Sequence, residues 1–363
     1  LTIGLTSFIL ISLYIFDELT FDSFHENPEQ IYRVIETKVA QDGQKTMRSG
    51  TGFQLSERAS EAFPEVTRVA RMAQFWKPEI RTSENNTNTF QEDYIAASQD
   101  FLDIFSFPMI NGNKKSALKE PKSVVLTESS AKRYFGSIDV AGRSLYFDND
   151  SVPYTITGVL KDLPVNSSIS FNLLVSEATI MQIPEARSHF SSDWNSGAFT
   201  SYFKVEKQTA IPALNKKLDM LIAANHKGNA GEKNYVHLQR LTDIHFYSED
   251  IEGNSGKKGN ISYIYVFFIV ACFIIVVACI NYMNLSTARF MNRGKEIAVR
   301  KVAGASRATL IRQFLMEVAL LTIVSVLFSI ILVNLLLPAF NGFTEKHLSF
   351  SPYSDYRIWT GIF

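Results

Sequence analysis

The chain has 363 residues, enough for two ordinary domains, and its 46% hydrophobic content is compatible with either a soluble or a membrane protein. Its 36 basic and 36 acidic residues cancel, so no nucleic-acid partner is expected. Only two cysteines are present, which excludes a disulfide-stapled scaffold.

Leu1 to Phe16 is apolar and stops at Asp17 and Glu18. It has neither the charged leading region nor the small-residue cleavage site of a secretory leader, so 1–16 is expected to be a first transmembrane helix cut short at its start. The acidic residues Asp17, Glu18 and Asp22 are candidate cation ligands, but their place at a membrane exit favours a solvated interfacial face.

From 17 to 260 short strand-like runs alternate with helices and polar turns, the pattern of a large α+β domain. Its clearest strand is Tyr154 to Leu160. Its clearest helix runs from Glu128 to Phe135, with Thr127 as N-cap and Gly136 as the left-handed stop. Ser56 to Phe63, closed by Pro64, is a second helix. Ile211 to Ala224 is a third, with Leu214, Leu218, Leu221 and Ile222 on one stripe. Glu84 to Thr89 and Asn225 to Asn234 read as polar tips, and Ser248 to Asn260 as a flexible approach to the next helix. A cysteine-free domain of this size can rest on its own core.

No catalytic constellation emerges. His237, Asp243 and His245 are the one local grouping that suggests a metal or acid/base pair, but they lack the i, i+4 helical spacing of a zinc protease, and a structural role is expected. No G-x-S-x-G elbow accompanies the serines of Ser167-Ser168 or Ser191-Ser192. There is no phosphate-binding loop, so the chain is not expected to be an enzyme: any ATP that drives it is hydrolysed by a partner. No cofactor and no metal are expected.

Ile261 to Ile280 contains no charge and Val318 to Leu337 repeats that property, each long enough to cross the ~30 Å apolar core of a bilayer. The expected layout is a second transmembrane helix at 261–285, a cytoplasmic segment at 286–312, a third helix at 313–337, an external loop at 338–357 and the start of a fourth helix at 358–363. Cys272 and Cys279 lie inside the second helix and are expected to pack there. Seven basic residues and the single Glu296 fall between Ser286 and Arg312, against 29 basic and 35 acidic elsewhere, which puts that segment in the cytoplasm and 17–260 outside. Within it, Asn292 to Ala303 can form a short helix that Gly304 ends, and Ser306 can cap the next. Such a helix either docks a partner or lies on anionic headgroups, and residue chemistry alone leaves both open.

The run Asn281-Tyr282-Met283-Asn284-Leu285-Ser286-Thr287-Ala288-Arg289, with Lys295-Glu296-Ile297-Ala298-Val299-Arg300-Lys301-Val302-Ala303-Gly304-Ala305-Ser306, resembles the signature of FtsX-like permeases. Asp17 to His25, Ile31 to Val34, Phe101 to Gly112, Val124 to Gly142, Thr157 to Pro164 and Leu241 to Phe246 resemble a MacB-type periplasmic core. One departure is Asn166-Ser167-Ser168, where Asn-Ser-His is expected. The resemblance implies the first module of a two-module or dimeric ABC-transporter permease in a bacterial inner membrane, truncated at both ends, with 17–260 in the periplasm. It implies an ABC-type ATPase subunit as partner, the lipid bilayer as surroundings, and periplasmic or outer-membrane proteins as further partners. It also makes Glu296, Arg300, Lys301, Gly304 and Ala305 the ATPase-coupling residues. The absence of charge in the central stretches of the second and third helices favours mechanical transmission over passage of a polar cargo. The rival is a membrane-anchored sensor or receptor, which the third helix and the short cytoplasmic segment argue against.

Overall fold

The computed structural model describes residues 1–74, 77–84, 89–148, 151–225, 232–253, 256–292, 299–300, 302–304, 306–344, 346 and 348–350. Two compact units emerge, one of residues 20–259 and one joining residues 1–19 to those from 260 onward.

The helices are α1 (Thr2–Leu19), α2 (Phe53–Ala62), α3 (Asp100–Ile104), α4 (Glu128–Phe135), α5 (Ala178–Met181), α6 (Pro184–Phe190), α7 (Ile211–Asn225), α8 (Ile261–Asn292) and α9 (Arg307–Thr344). The strands begin with β1 (Ile31–Val39), β2 (Lys45–Arg48), β3 (Gly50–Thr51), β4 (Val66–Ala73), β5 (Glu79–Arg81), β6 (Phe90–Gln91) and β7 (Tyr94–Ala97). They continue with β8 (Met109–Gly112), β9 (Ser123–Thr127), β10 (Ser144–Phe147), β11 (Tyr154–Leu160), β12 (Leu173–Ser176), β13 (Phe199–Val205), β14 (Lys233–Arg240) and β15 (Ile251–Glu252).

All fifteen strands join one mixed sheet in the order β15-β2-β1-β13-β4-β7-β12-β9-β11-β10-β5-β6, with β14 on β1, β3 on β13 and β8 on β11. Most pairs are antiparallel, while β7 with β12, β9 with β11 and β2 with β15 run parallel. Three apolar clusters hold the sheet to its helices. Phe101, Phe105 and Phe107 fill one with Phe171 and Tyr202; Leu126, Ala131 and Ile156 anchor α4; Leu214, Leu218 and Ile222 of α7 meet Leu55 and Phe203 in the third. The expected stripe of α7 is thus the buried one, with Leu221 at its edge.

Helix α4 has the expected bounds, with Thr127 Oγ1 accepting from the Ser130 N–H and Gly136 left-handed at φ 66°. Helix α2 starts three residues earlier than expected, because Asp193, distant in sequence, accepts from the Phe53 N–H through its carboxylate and from the Gln54 N–H through its carbonyl. Arg71 then ties α2 to the chain after β12, donating to Glu57 at 2.8 Å and to both Glu177 oxygens at 2.8 and 2.9 Å. The stretch from Ser248 is more ordered than expected: Ser248 is buried and Ile251–Glu252 pairs with β2. The tips 85–88 and 226–231 lie outside the described residues.

In the other unit, α1, α8 and α9 are each long and apolar enough to span a membrane, with mean hydropathies of 1.5, 3.0 and 2.8. Helices α1 and α8 approach so closely at Gly4 that a Cβ there would stand 2.6 Å from the Ala278 Cβ. Ser329 Oγ of α9 donates to the Thr2 carbonyl at 3.0 Å, and Ile9, Leu10 and Leu13 pack against Val333 and Leu337. Cys272 and Cys279 are exposed on α8 rather than packed.

Candidate functional site

The sequence points to residues 286–312, where α8 reaches further than expected and α9 starts directly after its expected cap, Ser306. Helix α8 continues through the signature residues to Asn292, and α9 begins at Arg307. At 1.5 Å per residue they measure about 48 and 57 Å, well beyond the apolar thickness of a bilayer, so each carries a stiff extension. Between them, the Ala303 N–H donates to the Val299 carbonyl at 2.9 Å, and Gly304 turns the chain at φ 91°, where a side chain would be strained. Ser306 then caps α9, its Oγ accepting from the Thr309 N–H at 3.2 Å.

Of the five residues expected from the resemblance to couple to an ATPase, Arg300 and Gly304 are described, whereas Glu296, Lys301 and Ala305 lie outside the described residues. Arg300 donates to Gln313 Oε1 at 2.7 Å, so the guanidinium is bound to the second turn of α9. Val299 and Val302 beside it are 68% and 90% exposed. The elbow therefore presents apolar and basic side chains together while tied to the root of α9. Neither Gln313 nor this exposure was legible in advance: a lone glutamine carries no periodic signal, and both valines fit a buried helix face equally well.

A second constellation gathers where the chain enters and leaves the external domain. The Asp22 N–H donates to the Asn166 carbonyl at 2.9 Å, Asn166 Nδ2 donates to the Thr20 carbonyl at 3.0 Å, and the Ser168 N–H donates to Asp22 Oδ1 at 2.8 Å. Asp22 takes φ 55°, a left-handed conformation that Asp tolerates better than most residues. Next to it the Phe21 ring stacks on His245, with centroids 3.5 Å apart and planes within 7°. His245 in turn holds the outgoing chain: its Nδ1–H donates to the Lys257 carbonyl at 3.0 Å and its own carbonyl accepts from the Gly259 N–H at 2.8 Å. Lys257 Nζ also reaches the Val165 carbonyl at 3.2 Å. Incoming segment, outgoing segment and the 165–168 loop thus form one knot.

This corrects the expectation of a solvated acidic face. Asp22 is fully buried at 0% exposure and Glu18 is 4% exposed. Burial pushes the Asp22 carboxyl above the usual range, opposed by the Ser168 groups and by His245. Asp17 and Glu18 instead meet Lys346 at 2.9 and 2.5 Å within the membrane unit. His237 lies on β14 opposite Ile35, so the three-residue grouping is dispersed into strand and knot. No cluster of three metal-ligating side chains occurs among the described residues.

Among the described residues, a sheet domain is inserted in the chain between the first and second of three membrane-length helices, with a capped elbow between the second and third, the organisation of a membrane protein that carries a large folded domain. Residues 1–221 match the MacB-like periplasmic core domain and residues 268–363 the FtsX-like permease C-terminal domain. The chain belongs to the FtsX-like permeases with a MacB-like periplasmic core. It is 24% identical over 253 residues to the macrolide export ATP-binding/permease protein MacB of Neisseria gonorrhoeae, a match covering 67% of this chain and 36% of that protein. The Neisseria meningitidis protein of the same name is 23% identical over the same lengths. A domain of a putative permease from Porphyromonas gingivalis shares the fold at TM-score 0.51 and 22% identity, covering 58% of this chain and 90% of that domain.

Proposed function

We propose that the chain is the permease module to which an ABC-type ATPase subunit docks, and that it converts ATP hydrolysis into movement of the external domain. The elbow is the docking point. Exposed Val299 and Val302 offer apolar contact, Arg300 and Lys301 offer charge, and Glu296, Gly304 and Ala305 complete the surface that the family resemblance assigns. The observation that best supports this reading is the Arg300–Gln313 bond, because a push on the elbow is delivered to the base of α9 without slack.

At the other end of the path, α1 continues through Thr20 into the knot and α8 is reached from it through Gly259, so displacement of either helix pulls on the same residues. Mechanical transmission is favoured over cargo passage because the central stretches of α8 and α9 carry no ionisable group. The setting is a bacterial inner membrane with the sheet domain in the periplasm, in a dimeric or two-module assembly that periplasmic or outer-membrane proteins can join. The N. gonorrhoeae relative combines ATP-binding and permease in its name, whereas these 363 residues contain no phosphate-binding loop.

The test is reconstitution of the complete permease with its co-purifying ATPase in lipid nanodiscs. The paired substitutions Arg300→Glu and Lys301→Glu are expected to abolish most of the ATP-dependent change in spin-label distances on the sheet domain and to reduce ATPase recovery. Unchanged distances and unchanged ATPase recovery would overturn the reading in favour of a sensor.

A further inference from the structure

A cavity of about 620 Å³ opens into the external domain beside the knot. That volume falls in the ~300–1,000 Å³ range of small-molecule sites. Its lining includes Arg33 of β1, Tyr202 of β13 and Ser168 of the knot, each more than nine-tenths buried. The guanidinium of Arg33 is fixed in place, donating to Gln239 Oε1 at 2.7 Å and Ser248 Oγ at 2.8 Å. Ser168 is buried as well, and both its side chain and its backbone N–H act on the Asp22 carboxylate.

Hydroxyls and bare backbone form much of the remaining wall. Ser49, Ser170 and Thr200 contribute side chains, while Gly50 and Gly197 bring two chain segments into direct contact: a Cβ on Gly50 would lie 2.2 Å from the Gly197 carbonyl oxygen. The cations around the cavity are already balanced. Arg48 is paired with Glu36 at 2.6 Å, Lys77 with Asp93 at 2.6 Å, and Asp22 acts on Arg33 through space. Glu252 also lines the cavity.

We propose that this cavity binds a neutral, polyhydroxylated small molecule of the saccharide class, seated on Arg33, Tyr202 and Ser168. Fixed donors and acceptors in close array match vicinal hydroxyls, each of which donates and accepts at once. Pairing of Arg48 and Lys77 weakens the pull on an anion and Glu252 opposes one, while a wall more polar than apolar favours hydroxyls over a purely lipophilic guest. Because the Ser168 N–H also holds Asp22, an occupant on Ser168 tightens the point from which both membrane connections leave. The site does not depend on how ATP is coupled.

The test uses the full chain in lipid nanodiscs and saturation-transfer NMR with methyl α-D-glucopyranoside and N-acetylglucosamine as neutral probes, glucuronate as the anionic probe and glucosamine as the cationic one. At least one neutral probe is expected to bind saturably with Kd of ~1–10 mM, in the weak range near 1 mM. The solvent-exposed substitution Ser170→Trp should fill the cavity and weaken binding at least about tenfold, and Ser168→Ala should weaken it about threefold, with the thermal midpoint preserved in both. Hydrogen exchange at residues 20–25 should slow when the probe is bound. The proposal is overturned if neither neutral probe saturates by about 50 mM, if binding survives Ser170→Trp, or if a charged probe binds more tightly than both neutral ones.

Discussion

His25 is buried with its Nδ1 accepting from the Ser106 N–H at 3.0 Å, so its proton sits on Nε2, within an aromatic nest that includes the edge-on Phe107 ring. Burial, with a smaller contribution from Lys114, pulls its pKa down to about 3. The sign follows directly: below its ordinary value of 6.5 the unfolded chain takes up a proton that the native fold refuses, so stability is lost as pH falls from 6.5 towards 3. Full-length protein should lose on the order of 2 kcal/mol more than His25→Gln between pH 7 and pH 4.5, measured by urea unfolding. Equal losses would show that His25 is not the responsible group. Asp22 works in the opposite sense, since its raised pKa favours the native state at low pH and that benefit is lost as pH rises through the folded value. Ser168→His would give this carboxylate a cationic neighbour. The thermal midpoint should rise at pH 6 and the gain should shrink by pH 9, when the imidazole has lost its proton; a gain independent of pH would assign it to filled volume alone. The departure at Ser168 was legible in the sequence, but its contact with Asp22, 146 positions away, was not.

What the sequence revealed at the scale of elements depended on whether the signal was local. Helix α4 carries its own start and stop, so Thr127 and Gly136 could be read correctly, and Thr127→Ala should cost ~1 kcal/mol of unfolding free energy. Helix α2 has Gly52 at its N-cap and takes its start from Asp193, which no local pattern announces. The strand order was equally hidden, because β1 pairs not only with its sequence neighbour β2 but also with β13 and β14 from distant parts of the chain. The outer edge of β14 shows how such a sheet is kept from growing. Asp219 and Asn215, one turn apart on α7, accept from the Val236 and Leu238 N–H groups at 2.6 and 3.1 Å. Replacing both with Ala should expose two strand donors and raise concentration-dependent association in light scattering, with little change at low concentration. In the membrane unit, Gly4→Val should separate α1 from α8 and reduce disulfide trapping between cysteines placed along that contact.

Across the described residues, the three membrane-length helices were visible as apolar runs, and the start of α9 was legible from its Ser306 cap; the continuation of α8 to Asn292 and the end of α9 at Thr344 were not, because polar residues there break hydropathy without breaking the helix. The proposed coupling residues come from the family resemblance, and two of the five fall where their surroundings can be described, Arg300 against Gln313 and Gly304 at the left-handed turn. The knot was visible in advance only as three unrelated fragments: an acidic trio, a serine pair and a histidine grouping. Phe21 and Gly259 both bind His245, so the chain enters and leaves the sheet domain at neighbouring points. A fold whose two ends meet can be lifted out of one host sequence and set into another as a cassette, leaving the flanking helices in register. Evolution could therefore exchange the portion facing the periplasm without redesigning the portion in the bilayer.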